Sequence, residues 1–183
     1  PIVLANSPSG EVYHDLAVYA FENEQYSVAE SHIQTALSRE PGNPRYHHLA
    51  GQIYLRNGQL ELAEKALEKA WVKDPQLSGL AFDRALLTHR QGRHAVACER
   101  FEALLEENPD DVLANYYGGI SQARSNQCEK AMIHLRRAAK LSPSLAPSAD
   151  QFLAYCDKLD SVDMEMEIAG GEQATRQKAR RWQ

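Results

Sequence analysis

The feature that most constrains the fold is a proline that recurs every 34 residues along the 183-residue chain. Proline has no backbone N–H to donate and therefore ends helical segments. Two small residues and one bulky apolar residue recur at the same interval. The four columns are Pro41, Pro75, Pro109 and Pro143; Ala17, Gly51, Ala85 and Gly119; Ala29, Ala63, Ala97 and Ala131; and Ile33, Leu67, Phe101 and Leu135. Their agreement indicates four copies of one structural repeat.

The second copy shows what one repeat contains. Its apolar residues fall in two groups at the spacing of a helix face, about 3.6 residues per turn. The groups are Leu49, Ala50, Ile53 and Tyr54, and then Leu62, Ala63, Ala66, Leu67 and Ala70. Between the groups, Asn57 and Gly58 tolerate the left-handed conformation that ends a helix. Each repeat is therefore predicted to be a pair of amphipathic helices.

Helix pairs of this size cannot bury their apolar faces alone, so neighbouring pairs must stack. We therefore predict an all-α, right-handed α-solenoid of four helical hairpins. The predicted hairpins are residues 10–43, 44–77, 78–111 and 112–145, and residues 1–9 form an N-terminal extension.

Another helix is predicted after the fourth pair, within residues 146–159. Phe152, Leu153, Cys156 and Leu159 share one face of this segment. Such a helix would cap the apolar end of the last pair. Residues 160–183 turn polar, with an acidic half followed by a basic end, and are expected to be a tail or linker.

The columns resemble the tetratricopeptide repeat family in spacing and residue type. The second unit matches the family pattern best, through Ala50, Gly51, Tyr54, Ala63, Leu67, Ala70 and Pro75. The early Trp of the family is replaced by Tyr13, His47, Ala81 and Asn115, and its Tyr by Ala20, Thr88 and Gln122. The resemblance implies a non-catalytic scaffold that binds a protein or peptide segment in a concave groove, lined by the first helix of each pair.

The same resemblance indicates which side chains line that groove. They are His14, His48, Phe82 and Tyr116; Leu86 and Ile120; and Arg56, Arg90 and Arg124. The apolar members would anchor the partner segment, and an arginine can bind a carboxylate through two parallel N–H groups. The arginines also have an alternative role, because a cation near a helix C-terminus is favoured by the helix dipole.

Charge and residue spacing argue against several classes of function. The formal net charge is −5 and the pI is about 5.8, which argues against a nucleic-acid partner. No run of about 18 apolar residues is present, so no transmembrane segment is expected. The seven histidines include no pair four residues apart, and no phosphate-binding or catalytic motif occurs. We therefore expect no metal, no cofactor and no enzymatic activity.

The three cysteines are Cys98, Cys128 and Cys156. Their odd number and the lack of C-x-x-C spacing fit neither a disulfide framework nor a zinc site. Cys98 and Cys128 fall on the second helices of adjacent units, so a bridge between them is one alternative. Because unpaired cysteine is commonly buried as a small packing residue, we expect that role for all three.

The two ends of the chain contain features that indicate its cellular compartment. The chain starts with Pro1 rather than Met, so we expect a processed or trimmed product, and Val3-Leu4-Ala5 has the small residues of a signal-peptidase site. An arbitrary boundary is the alternative. The last residues, Ala179–Gln183, resemble the connector before a barrel strand in some bacterial outer-membrane proteins with periplasmic repeat domains. These features favour a bacterial protein, in the periplasm rather than the cytoplasm.

Two other functions are compatible with the sequence. The array could self-associate or act as a structural spacer, for example as the periplasmic repeat domain of a larger outer-membrane assembly. It could also be a regulatory module of a larger enzyme.

Overall fold

The computed structural model describes residues 9–159 of the chain, and within this range it consists of helices without β-strands. The paired helices are α1 Gly10–Glu22, α2 Tyr26–Arg39, α3 Pro44–Arg56, α4 Leu60–Lys73, α5 Leu80–Arg90, α6 His94–Glu107, α7 Val112–Arg124 and α8 Cys128–Leu141. A short 3-10 turn, Pro143–Leu145, leads into a last helix, α9, at residues 146–159. Four helix pairs and a C-terminal helix confirm the predicted all-α solenoid class.

Several predictions fall outside the described range. The signal-peptidase-like Val3-Leu4-Ala5, the polar tail at residues 160–183 and the connector-like Ala179–Gln183 all lie outside the described residues. Within residues 9–159, no helix combines the length and the apolar character that crossing a membrane requires.

In two of the four helix pairs, a capping side chain precedes the first helix. The Asn43 side chain accepts a hydrogen bond from the backbone N–H of Arg45 at 3.1 Å, and Pro44 follows at the first helical position. A proline there costs no hydrogen bond, because that N–H has no partner inside the helix. The Asp111 carboxylate likewise accepts from the N–H of Ala114 at 2.8 Å. These caps fix the starts of α3 and α7 shortly after the recurring proline.

The turn inside each helix pair has a left-handed residue at the same repeat position. The residues and their φ angles are Glu24 at 59°, Gly58 at 73°, Gly92 at 74° and Asn126 at 58°. Glycine adopts this conformation without steric cost, and Asn adopts it more readily than most other residues. The turn geometry therefore persists in all four pairs even where the residue type, as at Glu24, does not favour it.

The chain divides into two compact units, Pro1–Arg100 and Phe101–Gln183, with the boundary inside α6. In the first unit, α1 packs on α2 and α3 on α4, while α3 also contacts α1 and α5. The first helices of successive pairs are therefore neighbours. The recurring apolar residues form the core here, and those with no exposed surface are Ala17, Ala29, Ile33, Ala63, Ala85 and Ala97.

Glycine in the small-residue column allows the two helices of a pair to approach closely. A Cβ added to Gly51 of α3 would overlap the side chain of Leu67 in α4. In the second unit, a Cβ on Gly119 of α7 would lie 2.8 Å from Cγ of Leu135 in α8. The same pair of columns thus forms the same close contact in both units.

In the second unit α7 packs on α8, and α9 completes the core. The buried residues of this core are Ile120, Ala123, Cys128, Ala131, Leu135, Ala149 and Cys156. The partly buried residues around it include Phe152, Leu153 and Leu159. All four residues that the sequence placed on one face of the last helix therefore contribute to this core.

Candidate functional site

The residues predicted to line the groove lie on the first helices of the pairs. In the first unit these helices are α1, α3 and α5, and we refer to the surface that carries the predicted residues there as the first-helix face; the second unit carries its predicted residues on α7. The first of them, His14 in α1, is 8% exposed. Its ring stacks on Tyr46 of α3, with ring centroids 5.1 Å apart and an angle of 26° between the planes. His14 therefore connects two neighbouring first helices.

His48, one repeat later, connects α3 to α5 through a buried carboxylate. Its Nε2–H donates to Oδ2 of Asp83 at 2.6 Å, and Nε2 of Gln52 donates to the same oxygen at 2.7 Å. His48 and Asp83 are 9% and 8% exposed. Because a hydrogen bond strengthens where water is excluded and an unpaired polar group there is costly, these three side chains hold the two helices together.

Tyr116 occupies the corresponding position in α7 and contacts α9. Its hydroxyl lies 2.6 Å from Oγ of Ser148 in α9. Phe82, the remaining member of this column, is partly buried in α5. Three of the four positions in this column thus contact the next first helix or α9, so their packing role is established by the geometry.

The two apolar residues of the second predicted column differ in exposure. Leu86 in α5 is partly exposed. Ile120 in α7 is only 4% exposed and belongs to the core of the second unit. Of these two side chains, Leu86 is the one whose surface can meet another molecule in the described structure.

The three predicted arginines are exposed, and each makes a contact near the end of a first helix or with α9. The guanidinium of Arg90 donates from Nη1 to the carbonyl of Leu55 at 2.7 Å, close to the C-terminus of α3. Arg56 lies over the ring of Phe21 at 6.0 Å, and Arg124 over the ring of Phe152 at 5.8 Å. A guanidinium has five N–H donors, and the bond to Leu55 uses one donor of Arg90.

Sequence reasoning missed Asp83 as the central residue of the first-helix face. The position one repeat earlier holds Leu49, a core residue that is 6% exposed. The sequence did contain a signal. Asp83 occupies a position that is apolar in the second unit, and it lies one repeat and one residue after His48. Such a carboxylate needs a buried partner.

Two of the four departures from the family Trp make hydrogen bonds to the recurring proline. His47 donates from Nε2 to the carbonyl of Pro41 at 2.7 Å. Asn115 donates from Nδ2 to the carbonyl of Pro109 at 2.8 Å. The same position in two repeats therefore fixes the proline turn by polar contact.

Two histidines have pKa values below the usual value of 6.5. Burial lowers the pKa of His47, and the charge of Lys69 lowers it further, whereas the hydrogen bond to the Pro41 carbonyl raises it. Burial also lowers the pKa of His134, the Glu102 carboxylate opposes it, and nearby cations lower the value further. His134 donates from Nδ1 to Oδ1 of Asn115 at 3.0 Å. Both rings therefore favour the neutral form.

The cysteine prediction was wrong for two of the three residues. Cys128 and Cys156 form a disulfide, with Cα atoms 5.3 Å apart, while Cys98 is buried elsewhere. The alternative bridge between Cys98 and Cys128 is not formed. Cys156 reaches Cys128 because α9 packs against α7 and α8, and the spacing of the cysteines in the sequence does not reveal this placement. Across residues 9–159, no three His, Cys, Asp or Glu side chains are grouped to hold a metal ion.

Helix pairs that repeat every 34 residues, with small residues at their closest contacts, define a helical-repeat protein. A model of the tetratricopeptide repeat family matches residues 14–78 and 82–146, which is more than half of the chain. The chain belongs to the tetratricopeptide repeat family.

Relatives and solved structures agree with this membership. Tetratricopeptide repeat protein 37 of Xenopus laevis is 26% identical over 115 residues, which are 60% of this chain and 7% of that protein. The chain thus spans a small part of that relative.

MamA 41-end from Desulfovibrio magneticus RS-1 has a TM-score of 0.66 at 16% identity and covers 90% of this chain and 98% of its own. YrrB, described as a TPR protein with an unusual peptide-binding site, has a TM-score of 0.66 at 23% identity, over 78% of this chain and 74% of its own. At these identities the likeness supports the fold alone.

Proposed function

We propose that this chain is a non-catalytic scaffold that binds an extended or helical segment of a partner protein on the first-helix face of its first unit. The observation that carries the proposal is the line formed by Phe82, Leu86 and Arg90 along α5. These residues are spaced by four positions, so they follow one another along one side of the helix. The first two are partly exposed and apolar, and the third is exposed and cationic.

These three side chains suit a partner segment that carries an apolar residue and a carboxylate. Phe82 and Leu86 would remove apolar surface of the partner from water, at about 25 cal/mol per Å² buried. Arg90 would donate two N–H groups to the carboxylate. The bond from Arg90 to the Leu55 carbonyl at 2.7 Å already orients the guanidinium, and orientation before binding lowers the entropic cost of the contact.

The buried group of His48, Gln52 and Asp83 has a supporting role in this proposal. It fixes α5 against α3 through two hydrogen bonds to one carboxylate oxygen. A face built on helices held in this way keeps its shape when the partner is absent. In this respect the proposal differs from the sequence prediction, which placed His48 itself in contact with the partner.

The experiment is a quantitative crosslinking capture with three forms of the protein: wild type, the Phe82→Ala/Arg90→Glu variant, and Arg136→Glu. Arg136 is exposed on α8, a second helix, and controls for the change of charge. We expect a partner that is retained by wild type and Arg136→Glu and lost from the double variant. Circular dichroism checks that all three forms are folded.

Two further outcomes are informative. Retention of the same partner by the double variant would overturn the proposal, because binding would then lie away from α5. The single variant Arg90→Glu separates the two contacts. We expect it to weaken binding more at low salt than at high salt, since the contribution of an exposed charge is screened.

A further inference from the structure

The disulfide between Cys128 and Cys156 connects the start of α8 to α9. Cys128 is the first residue of α8, and both cysteines belong to the buried core of the second unit. Apart from this bond, α9 is held by the Tyr116–Ser148 hydrogen bond, by the contact of Arg124 with Phe152 and by apolar packing. Among the described residues, the disulfide is thus the one covalent cross-link between α9 and another helix.

The two cysteines differ in access from solvent. A cleft of about 360 Å³ lies at the turn between α7 and α8. Its lining is Asn126, Gln127, Cys128, Glu129 and Lys130. Cys128 is 7% exposed, whereas Cys156 is fully buried and is not part of the lining. A reagent that enters this cleft therefore meets Cys128 first.

We propose that Cys128–Cys156 is a thiol–disulfide exchange site, at which a dithiol reductant attacks Cys128 through this cleft. The reductant thiolate forms a bond to Sγ of Cys128, the Cys128–Cys156 bond breaks, and Cys156 leaves as a thiolate that takes up a proton. The second thiol of the reductant then attacks the reductant sulfur that is bonded to Cys128 in the mixed disulfide. Cys128 leaves as a thiolate, and the reductant ends as a disulfide.

The position of Cys128 favours the second step. A thiolate at the N-terminus of a helix is stabilised by the helix dipole and by N–H groups that have no partner inside the helix. Cys128 at the first position of α8 is therefore a good leaving group from the mixed disulfide. The net result is release of α9 from its covalent bond to α8, so that the packing of α9 on Ile120 and its neighbours depends on the redox state.

The first test identifies the attacked sulfur. The folded chain is treated with glutathione at increasing concentration, quenched with acid and mapped by mass spectrometry. We expect the glutathione adduct on Cys128, and a rate that increases in proportion to the glutathione concentration. An adduct confined to Cys156, or a rate independent of thiol concentration, would overturn the proposal, because attack would then require prior opening of α9.

The second test blocks the cleft. Gln127→Trp places a bulky side chain in its lining, and Gln25→Trp is the matched control at the same repeat position before α2. Since exchange depends on access, we expect Gln127→Trp to slow reduction by dithiothreitol about fivefold or more, and Gln25→Trp to leave it unchanged. Equal rates in both variants would show that reagents do not use this cleft.

The third test measures the consequence for α9 without any substitution. Hydrogen exchange is compared in the oxidised and the dithiothreitol-reduced wild-type chain. We expect faster exchange in residues 146–159 after reduction and unchanged exchange in α3. Unchanged exchange in residues 146–159 would contradict the proposed control of α9.

Discussion

Neighbouring helices are joined in different ways in the two units. In the first unit, α3 and α5 are joined by a carboxylate that accepts hydrogen bonds from His48 and Gln52. In the second unit, α9 is joined by one hydrogen bond between Tyr116 and Ser148 and by a disulfide. The helix α5 contacts both α3 and α4, whereas α9 is the last helix that the structure describes. In the first unit a buried polar group joins two first helices, whereas in the second unit a covalent cross-link is added to the packing of α9.

The largest expected effect follows from removal of the disulfide. The two cysteines are 28 residues apart, and opening a loop of that length costs roughly 3–4 kcal/mol in the chain-entropy account. We expect Cys156→Ser to destabilise the second unit by this amount and to leave the first unit unchanged. Urea unfolding gives the total, and hydrogen exchange locates the loss in α7 to α9.

The other cysteine provides the control for this prediction. Cys128→Ser and the double variant open the same bond, so each should be destabilised to within about 1 kcal/mol of Cys156→Ser. A double variant that is less stable by the sum of the two single effects would mean that the cysteines contribute separately. Loss of protection throughout α1 to α5 would contradict a local role of the disulfide.

The next largest effect is expected at the buried carboxylate. Asp83→Leu leaves the Nε2 groups of His48 and Gln52 without their acceptor, at a cost of roughly 2–4 kcal/mol. The matched control is Asp15→Leu, because Asp15 also contacts a histidine, at 3.3 Å, but its side chain is 73% exposed. We expect less than about 0.5 kcal/mol there, since exposed ion pairs contribute little. Urea unfolding of both variants measures the difference.

A triple variant sharpens this result. Replacing His48, Gln52 and Asp83 together by leucine removes the unsatisfied groups as well as the hydrogen bonds. We expect it to recover part of the stability lost in Asp83→Leu, because apolar packing can replace a buried polar group. A triple variant less stable than the single one would show that the shape of the polar group, and not only its charge, sets the spacing of α3 and α5.

The smallest effect is expected in the pH dependence of the free energy of unfolding, and it concerns both units. His47 in the first unit and His134 in the second have folded-state pKa values below their usual value. The folded protein then binds fewer protons than the unfolded chain. Their contribution to the free energy of unfolding is therefore present above about pH 6.5 and decreases as pH falls through the folded-state values.

His134→Asn tests this prediction in the second unit alone. The variant should show a flatter dependence of the free energy of unfolding on pH between about 7 and 5 than wild type. His32→Asn is the control, because His32 lies on α2 in the first unit. An unchanged pH dependence in His134→Asn would mean that His134 takes up its proton equally in the folded and unfolded states.

The repeat columns were sufficient to predict the helix pairs, because these depend on positions that recur. Gly51 and Gly119 could be predicted to lie at close contacts for the same reason. The last helix was predicted from the local periodicity of its own apolar residues. The partners of His48 and Cys128 could not be predicted, because both depend on which side chains of another helix meet them. Asp83, in a column that is apolar in the second unit, indicated a buried polar contact but not which side chain would meet it. For the cysteines, the sequence favoured three unpaired residues and offered Cys98–Cys128 as the alternative, and neither is what the structure has.

The left-handed residue in the turn of each helix pair offers a separate way to adjust the protein. Glu24 has a φ of 59° and Asn126 one of 58°, and both are exposed. Because glycine relieves the strain of this conformation and a β-branched residue increases it, each of these two hairpins can be made more or less stable at a single surface position. Glu24 belongs neither to the first-helix face nor to the cleft, whereas Asn126 lines the cleft beside Cys128. The stability of the first hairpin can therefore be changed at Glu24 without altering the residues that are proposed to bind a partner or the cleft at Cys128.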